Sequence, residues 1–315
     1  MRSRRLGRAT EWCIELAIRF CGVAAVVFVV LILAFLLRNA LPALSSVSLG
    51  DALSGRLWRP TSSPPEFGFL PLILGSAFVT VGSLVISVPL GVGAAVYLAE
   101  VASRRVREVA KPLVELLAAI PSVVFGFVGL MLVGSWIQKG SRAAGDALPG
   151  PDWLKAALDM PSSMAAITGA VLLALMTLPT IVSIAEDALN SVPERFRQGS
   201  LALGATRWQT IRGVTVPAAR SGIMASVMLG VGRAVGETMT VLMVTGNAAV
   251  VPSVTNGLFR PIRTMTATIA AEMGETAHQT PHFHVLFLLG LLLFLITFCV
   301  NTTADIITHR GQHER

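Results

Sequence analysis

One apolar stretch carries a basic and an acidic side chain four positions apart. The run Gly232-Arg233-Ala234-Val235-Gly236-Glu237-Thr238 lies within Ser221–Phe259, which holds no other Asp, Glu, Lys or Arg. On a helix, residues four apart share a face, so Arg233 and Glu237 can pair. An arginine at the middle of a bilayer costs ~2.5–3.5 kcal/mol on insertion scales, so it turns inward rather than toward lipid. Gly232 and Gly236 form a G-x-x-x-G pair, which lets a neighbouring helix approach closely. Two chemistries fit these residues. Arg233, Glu237 and Thr238 contact a substrate on a permeation path, or Arg233 and Glu237 form a structural ion pair that locks helix packing. The net charge of such a pair is near zero, so the residues alone do not choose an anion as cargo.

A second constellation occupies 187–221. Pro193-Glu194 reads as a helix start, with proline at the first position and acid in the first turn. The pattern predicts a short helix over Phe196–Leu203, a change of direction at Gly204, and a second helix over Ala205–Val214 that Pro217 ends. Trp208 and Ile211, three apart, share a face of that second helix, with Arg207 and Arg212 elsewhere. Such an elbow can dock on a soluble partner. It can equally lie on lipid headgroups as an amphipathic segment, and the pattern alone leaves both open.

Other chemistry is absent or weak. Lysine occurs only at 111, 139 and 155, never after glycine, so no G-x-x-x-x-G-K-S/T phosphate loop is present. There is no H-E-x-x-H and no C-x-x-C. His278, His282 and His284 near Glu275, and His309 with His313 in the tail, are candidate metal clusters, but loop histidines this close are usually just solvated, and no metal is expected. Glu186-Asp187 are adjacent, so on a helix they point apart and do not suggest paired acid–base work. Cys13, Cys21 and Cys299 make neither a disulfide framework nor a metal spacing. No cofactor is expected.

The elements that must position these residues follow from composition. Of 315 residues, 53% are apolar and 14% charged, and mean hydropathy is +0.70. With 25 basic and 18 acidic side chains, the chain cannot coat a soluble body of this size. A soluble enzyme, a disordered protein and a secreted disulfide scaffold are excluded together. The expectation is an all-α, polytopic membrane protein, since lipid leaves no water for unpaired backbone groups. A span needs ~20 apolar residues, and the uncharged runs place six, at 15–37, 70–98, 113–137, 164–186, 222–245 and 284–306. Pro71, Pro89, Pro121 and Pro179 interrupt them.

With the N-terminus inside, fifteen basic residues fall in inner segments and eight in outer loops. Both termini are therefore expected in the cytoplasm. The +7 charge is then a topology signal, and no nucleic-acid partner is expected because no basic face with interleaved aromatics occurs. The first span is too long for a cleaved signal's apolar region. The chain divides into an N-terminal arm, first span and outer loop (1–66), a core of five spans (67–307) and a cytoplasmic tail (308–315).

At these residues the chain resembles a type I ABC importer permease. The stretch Arg197-Gln198-Gly199-Ser200-Leu201-Ala202-Leu203-Gly204-Ala205-Thr206-Arg207-Trp208, on to Pro217, resembles that family's cytoplasmic EAA coupling loop. Within the family it is most similar to the PstC-type subunit of the Pst phosphate importers. The similarity is carried by Gly68-Phe69-Leu70-Pro71-Leu72-Ile73, Tyr97-Leu98-Ala99-Glu100, Lys111-Pro112, Ile120-Pro121-Ser122-Val123-Val124-Phe125-Gly126, Gly232 to Met239, and Glu272-Met273-Gly274-Glu275. The chain departs from the pattern at Gln198-Gly199, where the loop usually has Glu-Ala, and at Val101-Ala102-Ser103.

The resemblance implies a machine of several chains in the cell membrane. A PstA-type permease forms the other half of the pore, a PstB-type ATPase dimer binds inside, and a PstS-type phosphate-binding protein docks outside. ATP is hydrolysed by the ATPase, so this chain is a transport subunit and not an enzyme. It implies coupling through Arg197, Leu203, Gly204, Ala205, Arg207, Trp208 and Pro217, with phosphate passing Arg233. The rivals are a permease for sulfate or molybdate and a regulatory membrane subunit in phosphate sensing.

Overall fold

The computed structural model describes residues 2–147, 155, 158–253 and 257–313. The side chains of Arg2, Arg4, Arg5, Arg8, His309, Arg310, His313 and Arg315 fall outside what is described. Helix α1 (Arg2–Ala40) leads through a tight turn to α2 (Leu49–Ser54). A small antiparallel hairpin follows, β1 (Trp58–Arg59) with β2 (Glu66–Phe67), Trp58 opposite Phe67. Then come α3 (Leu70–Val101), α4 (Arg104–Ala119), α5 (Ser122–Ala147) and α6 (Ala166–Asn190). The elbow is α7 (Glu194–Ala202) and α8 (Arg207–Ala218). The chain closes with α9 (Arg220–Gly236), α10 (Met239–Val244), α11 (Met265–Glu272) and α12 (Pro281–His313). Among the described residues, α1, α3, α5, α6 and α12 are long and apolar enough to cross a membrane. The pair α8–α9, bent by 68°, brings a sixth. The protein is an all-α polytopic membrane protein.

The frame is the seam between α3 and α6. On α3 the buried residues Pro71, Gly75, Val79, Ser83, Ser87, Gly91 and Ala95 recur at every fourth position. A row at that spacing runs along one helix face, and its small members let backbones come close where lipid offers no hydrophobic drive between helices. The branched side chain of Ile181 on α6 fills the space so made. A Cβ at Gly91 would stand 2.8 Å from Ile181 Cγ2, and one at Gly230 on α9 would stand 2.9 Å from Ile181 Cγ1. Buried hydroxyls on this seam turn back on their own helices. Ser83 donates to the Thr80 carbonyl at 2.8 Å and Thr177 to that of Leu173 at 3.0 Å.

A second apolar cluster sits at the hairpin end. Trp58, Phe67, Phe69 and Leu72 pack with Ala40 at the end of α1, with Ala43 in the turn after it and with Val285, Leu286 and Leu289 of α12. By contrast, the apolar window of α1 has no buried residue within the chain; it touches α12 along one side, where the Phe35 and Phe287 rings meet edge-on at 5.5 Å, and leaves the rest of its surface to lipid or another subunit.

Two expected spans are corrected. The run at 113–137 is not one helix. Pro121 disfavours helical backbone at the residue before it, and Ile120 is extended (φ −69°, ψ 126°), so α4 ends at Ala119 and the span starts at Ser122. The helix expected over 222–245 also breaks: α9 stops at Gly236, and Glu237 is extended (φ −69°, ψ 128°).

The seam makes a stability prediction. Gly230→Leu drives new atoms into Ile181, an overpacking cost of ~1–3 kcal/mol. It should lower the thermal unfolding midpoint of the purified protein in detergent. Gly236, with nothing within 4 Å of a new Cβ, should accept leucine with no comparable loss.

Candidate functional site

The break after α9 decides how Arg233 and Glu237 are placed. Because the helix ends between them, they do not share a face, and among the described residues neither forms an ion pair with the other. The Arg233 guanidinium is exposed at the surface of the chain, with one weak contact, Nη1 donating to Thr180 Oγ1 of α6 at 3.5 Å. The Glu237 carboxylate accepts instead from the Thr240 N–H at 3.2 Å. It thus satisfies one of the orphan amides at the start of α10. The expected ion pair is replaced by a free cation and a helix cap.

Neighbouring breaks meet at the same level. Thr240 Oγ1 donates to the carbonyl of Ser122, the first residue of α5 after Pro121, at 2.9 Å. Thr266 Oγ1 of α11 donates to the Glu237 carbonyl at 3.0 Å. Thr238 keeps close to the turn, its hydroxyl 3.3 Å from the Gly236 carbonyl. Threonine hydroxyls therefore stand in for the water that freed backbone groups lack in a membrane. Interrupted helices converging near mid-span are where transporters build sites. Gly232 and Gly236 do not make the close approach expected of G-x-x-x-G within this chain. A Cβ at Gly232 would meet Asn301 Oδ1 at 3.6 Å and one at Gly236 nothing, whereas Gly75, Gly91 and Gly230 are tightly approached.

The elbow forms where the pattern placed it. Gly204 has φ +86°, a conformation that only glycine takes without strain. The chain then restarts on a capping box: the Gln209 N–H reaches Thr206 Oγ1 and the Thr206 N–H reaches Gln209 Oε1. Ser200 and Thr210 hydroxyls, 3.0 Å apart, close the angle. Leu203 is 91% exposed and Trp208 65%, with Phe196, Leu201 and Arg207 also exposed. Ala205 is half-buried. Pro217 does not end the second helix, which continues to Ala218 and bends at Ala219.

Arg197 is corrected as well. Rather than joining the exposed tip, it points back into the protein, with 15% of its side chain exposed. It bonds Glu100 of α3, which the residue pattern did not single out as its partner. Lys111 on α4 reaches Asp187 at 3.0 Å and buried Glu186 at 3.3 Å, so the two adjacent acids share one cation. The hydrogen bond that Lys111 donates to Asp187 leads the effects that hold the Lys111 pKa above its ordinary value, against the opposing pull of burial.

At the hairpin face, Glu272 gathers three donors: Trp58 Nε1 at 3.0 Å, Arg263 Nη1 at 2.8 Å and His282 Nε2 at 2.8 Å. They line a cavity of about 820 Å³ with Arg59, Glu275 and Thr276. His284 is elsewhere, its Nδ1 2.9 Å from the Asn39 carbonyl. Thr180, Glu100 and Glu272 are the polar contacts that spacing did not reveal. The signal for Thr180 was its place beside Pro179 in an otherwise apolar span.

Comparison with known proteins fits this geometry. Residues 87–311 match the family model of the binding-protein-dependent transport system inner membrane component. A probable ABC transporter permease protein of Bacillus subtilis, YqgH, is 40% identical over 255 residues, covering 81% of this chain and 76% of that protein. The phosphate transport system permease protein PstC of Mesorhizobium japonicum is 37% identical over 256 residues, covering 80% and 76%. PstC 2 of Mycobacterium tuberculosis is 32% identical over 307 residues, covering 96% and 93%. Among solved structures, a chain of the inward-facing MetNI methionine ABC transporter superimposes with a TM-score of 0.51 at 18% identity, covering 78% of this chain and 94% of that one. With the model matched across most of its length and relatives above 30% identity over four-fifths of it, the chain belongs to the binding-protein-dependent transport system inner membrane component family.

Proposed function

We propose that this chain is the PstC-type permease subunit of an ATP-driven phosphate importer and forms half of its translocation path. The observation that carries the reading is Arg233: a guanidinium in apolar surroundings, exposed, with no carboxylate beside it and one weak contact to Thr180. An uncompensated cation there favours an anion, and its planar fork suits phosphate. Phosphate is what several close relatives are named for. Glu237 and Thr238 hold the break that leaves Arg233 free.

The remaining chemistry belongs to partners. A PstA-type permease closes the path from the other side, covering the exposed Arg233 face. A PstB-type ATPase dimer binds the Leu203–Trp208 tip from the cytoplasm and hydrolyses the ATP. A PstS-type protein delivers phosphate to the hairpin face outside. In this arrangement both termini are cytoplasmic. ATPase closure pushes the elbow, the bend at Ala219 passes that motion to α9, and the site at Arg233 changes the side from which it is open.

Three measurements test the reading. In proteoliposomes holding the whole complex, Arg233→Gln should cut ATP-driven phosphate uptake by roughly 10–100-fold, the worth of a hydrogen bond to a charged group, with complex yield unchanged. Arg233→Lys should restore part of it. Uptake near the wild-type rate in Arg233→Gln, or uptake of sulfate or molybdate in preference to phosphate, would refute the assignment.

At the tip, Trp208→Ala should weaken capture of the ATPase by about 30-fold, typical of a buried aromatic anchor. Gly204→Val should also reduce it, because a β-branched residue resists φ +86°. Normal co-purification and ATPase stimulation in both would remove the docking role. For orientation, single cysteines at Thr61 and Leu203 replace the native ones. An impermeant thiol reagent should label Thr61→Cys in intact cells and Leu203→Cys only after lysis. The opposite pattern would invert the topology.

A further inference from the structure

We propose that Arg197 and Glu100 form a half-buried latch that fastens the elbow to α3 and α6, so that these helices move with the elbow when the ATPase drives it. The inference rests on the importer reading above and assigns Arg197 a role opposite to surface docking.

The geometry is that of a fully used guanidinium. Nε and Nη2 of Arg197 donate to Glu100 Oε1 at 3.1 and 2.8 Å. Nη2 also donates to the Leu189 carbonyl at 2.8 Å, and Nη1 to the Val192 carbonyl at 2.8 Å and Glu194 Oε2 at 3.3 Å. An arginine has five N–H donors, and here all three nitrogens are engaged. Glu100 sits in the last turn of α3 with 10% of its side chain exposed. Leu189 belongs to the last turn of α6, where helix carbonyls lack intrahelical partners and attract a cation. One side chain of α7 thus joins the ends of two membrane-spanning helices. A buried charge left without its partner is costly, so the three ends are held together or parted as a unit.

The surroundings extend the latch. Arg107 at the start of α4 donates to the Leu98 and Ala99 carbonyls at 2.7 and 2.6 Å, binding α4 to the same end of α3. Lys111, one turn further along α4, holds Glu186 and Asp187 near the end of α6. The ends of α3 and α6, the first half of α4 and the first turn of α7 are therefore joined by one network of ion pairs and charged hydrogen bonds. Leu203 is exposed at the tip of the elbow, while Trp208, also exposed, borders a cavity that it shares with Tyr97 and Val101 of the last turn of α3. The elbow has three outlets for force among the described residues. One is covalent, through the 68° bend into α9. A second is apolar, where Val216, Ala218 and Ala219 pack with Ala95 of α3 and with Ala185 and Leu189 of α6. The third, and the one that carries charge, is the Arg197–Glu100 contact into α3 and α6. Arg197 is a positioning residue: it touches neither cargo nor nucleotide.

The test uses the whole complex and Glu100→Gln, which keeps the shape and an acceptor oxygen but removes the charge, beside Arg197→Gln and Arg197→Lys. Complex yield and ATP hydrolysis should persist in Glu100→Gln, because the tip is untouched. Phosphate moved per ATP should fall on the order of tenfold, a typical coupling loss, with Arg197→Lys retaining more than Arg197→Gln. If Arg197→Gln does not assemble, Glu100→Gln and Arg197→Lys give the answer.

A second readout does not depend on the cargo. Spin labels at Leu203 on the tip and Leu90 on α3 report their separation by electron–electron resonance. In the wild type that distance should be the same with and without trapped ATP, since the joined ends move together. In Glu100→Gln it should change on ATP binding. Wild-type coupling ratios in the variants, or a Leu203–Leu90 distance that responds identically in wild type and Glu100→Gln, would overturn the latch. A wild-type complex that hydrolyses ATP and imports no phosphate would instead overturn the cargo assignment, leaving the distance measurement to judge the latch by itself.

Discussion

Close approach of α3 and α6 is the constraint on which the rest of the structure depends. In lipid, apolar side chains gain nothing by leaving an apolar solvent, so helices associate by fit. Here fit is supplied by residues recurring every four positions on α3 and by Ile181 of α6, wedged between Gly91 and Gly230. Because Ile181 is fixed between two other helices, its neighbour Thr180 is fixed too, and with it the one contact that Arg233 makes. The seam thus determines where the cation sits. Its far end is equally constrained, since α3 ends at Glu100 and α6 at the carbonyls that Arg197 takes.

A second constraint, the need to satisfy every backbone group without water, explains the break. Ending α9 at Gly236 frees backbone groups in the middle of the bundle. Glu237 caps the next helix, and Thr240 and Thr266 bind the carbonyls of Ser122 and Glu237. The consequence is electrostatic. A continuous helix would have set Glu237 against Arg233 and left a neutral pair. The broken one spends the acid on α10 and leaves the base unpaired. The positive charge left open at this level is therefore a product of backbone geometry and not of composition.

This also accounts for what the amino-acid sequence revealed. The helical class, four of the six span positions and the turn at Gly204 were legible, because each rests on local features: uncharged runs, and a glycine between two short amphipathic patterns. The third span was misplaced because the apolar run crosses Pro121, and hydrophobicity does not register that the residue before proline leaves the helix. Arg233 and Glu237 looked paired because spacing assumes a continuous helix. Arg197 looked like a surface residue because its partner, Glu100, is 97 positions away, beyond any periodicity. The α3 seam was written in the sequence as small residues every four places, but such a row points to a helix face without naming the helix it meets.

The two arginines show how one residue type divides its labour by environment. Arg197 and Arg233 both lie in an apolar protein and both carry a permanent charge. Arg197 has its three nitrogens engaged by a carboxylate of α3, another of α7 and two terminal carbonyls. Such a group has no capacity left for a ligand, and what it can do is hold elements together. Among the described residues Arg233 has one contact, at 3.5 Å, the outer limit of a hydrogen bond. Its remaining donors are open, and desolvating them against lipid would be expensive, so they require a partner subunit, water or an anion to face. A saturated guanidinium can only join elements, whereas an unsaturated one keeps donors to offer. In this chain the elbow lies between the two, tied to Arg197 through α7 and to Arg233 through α8 and α9.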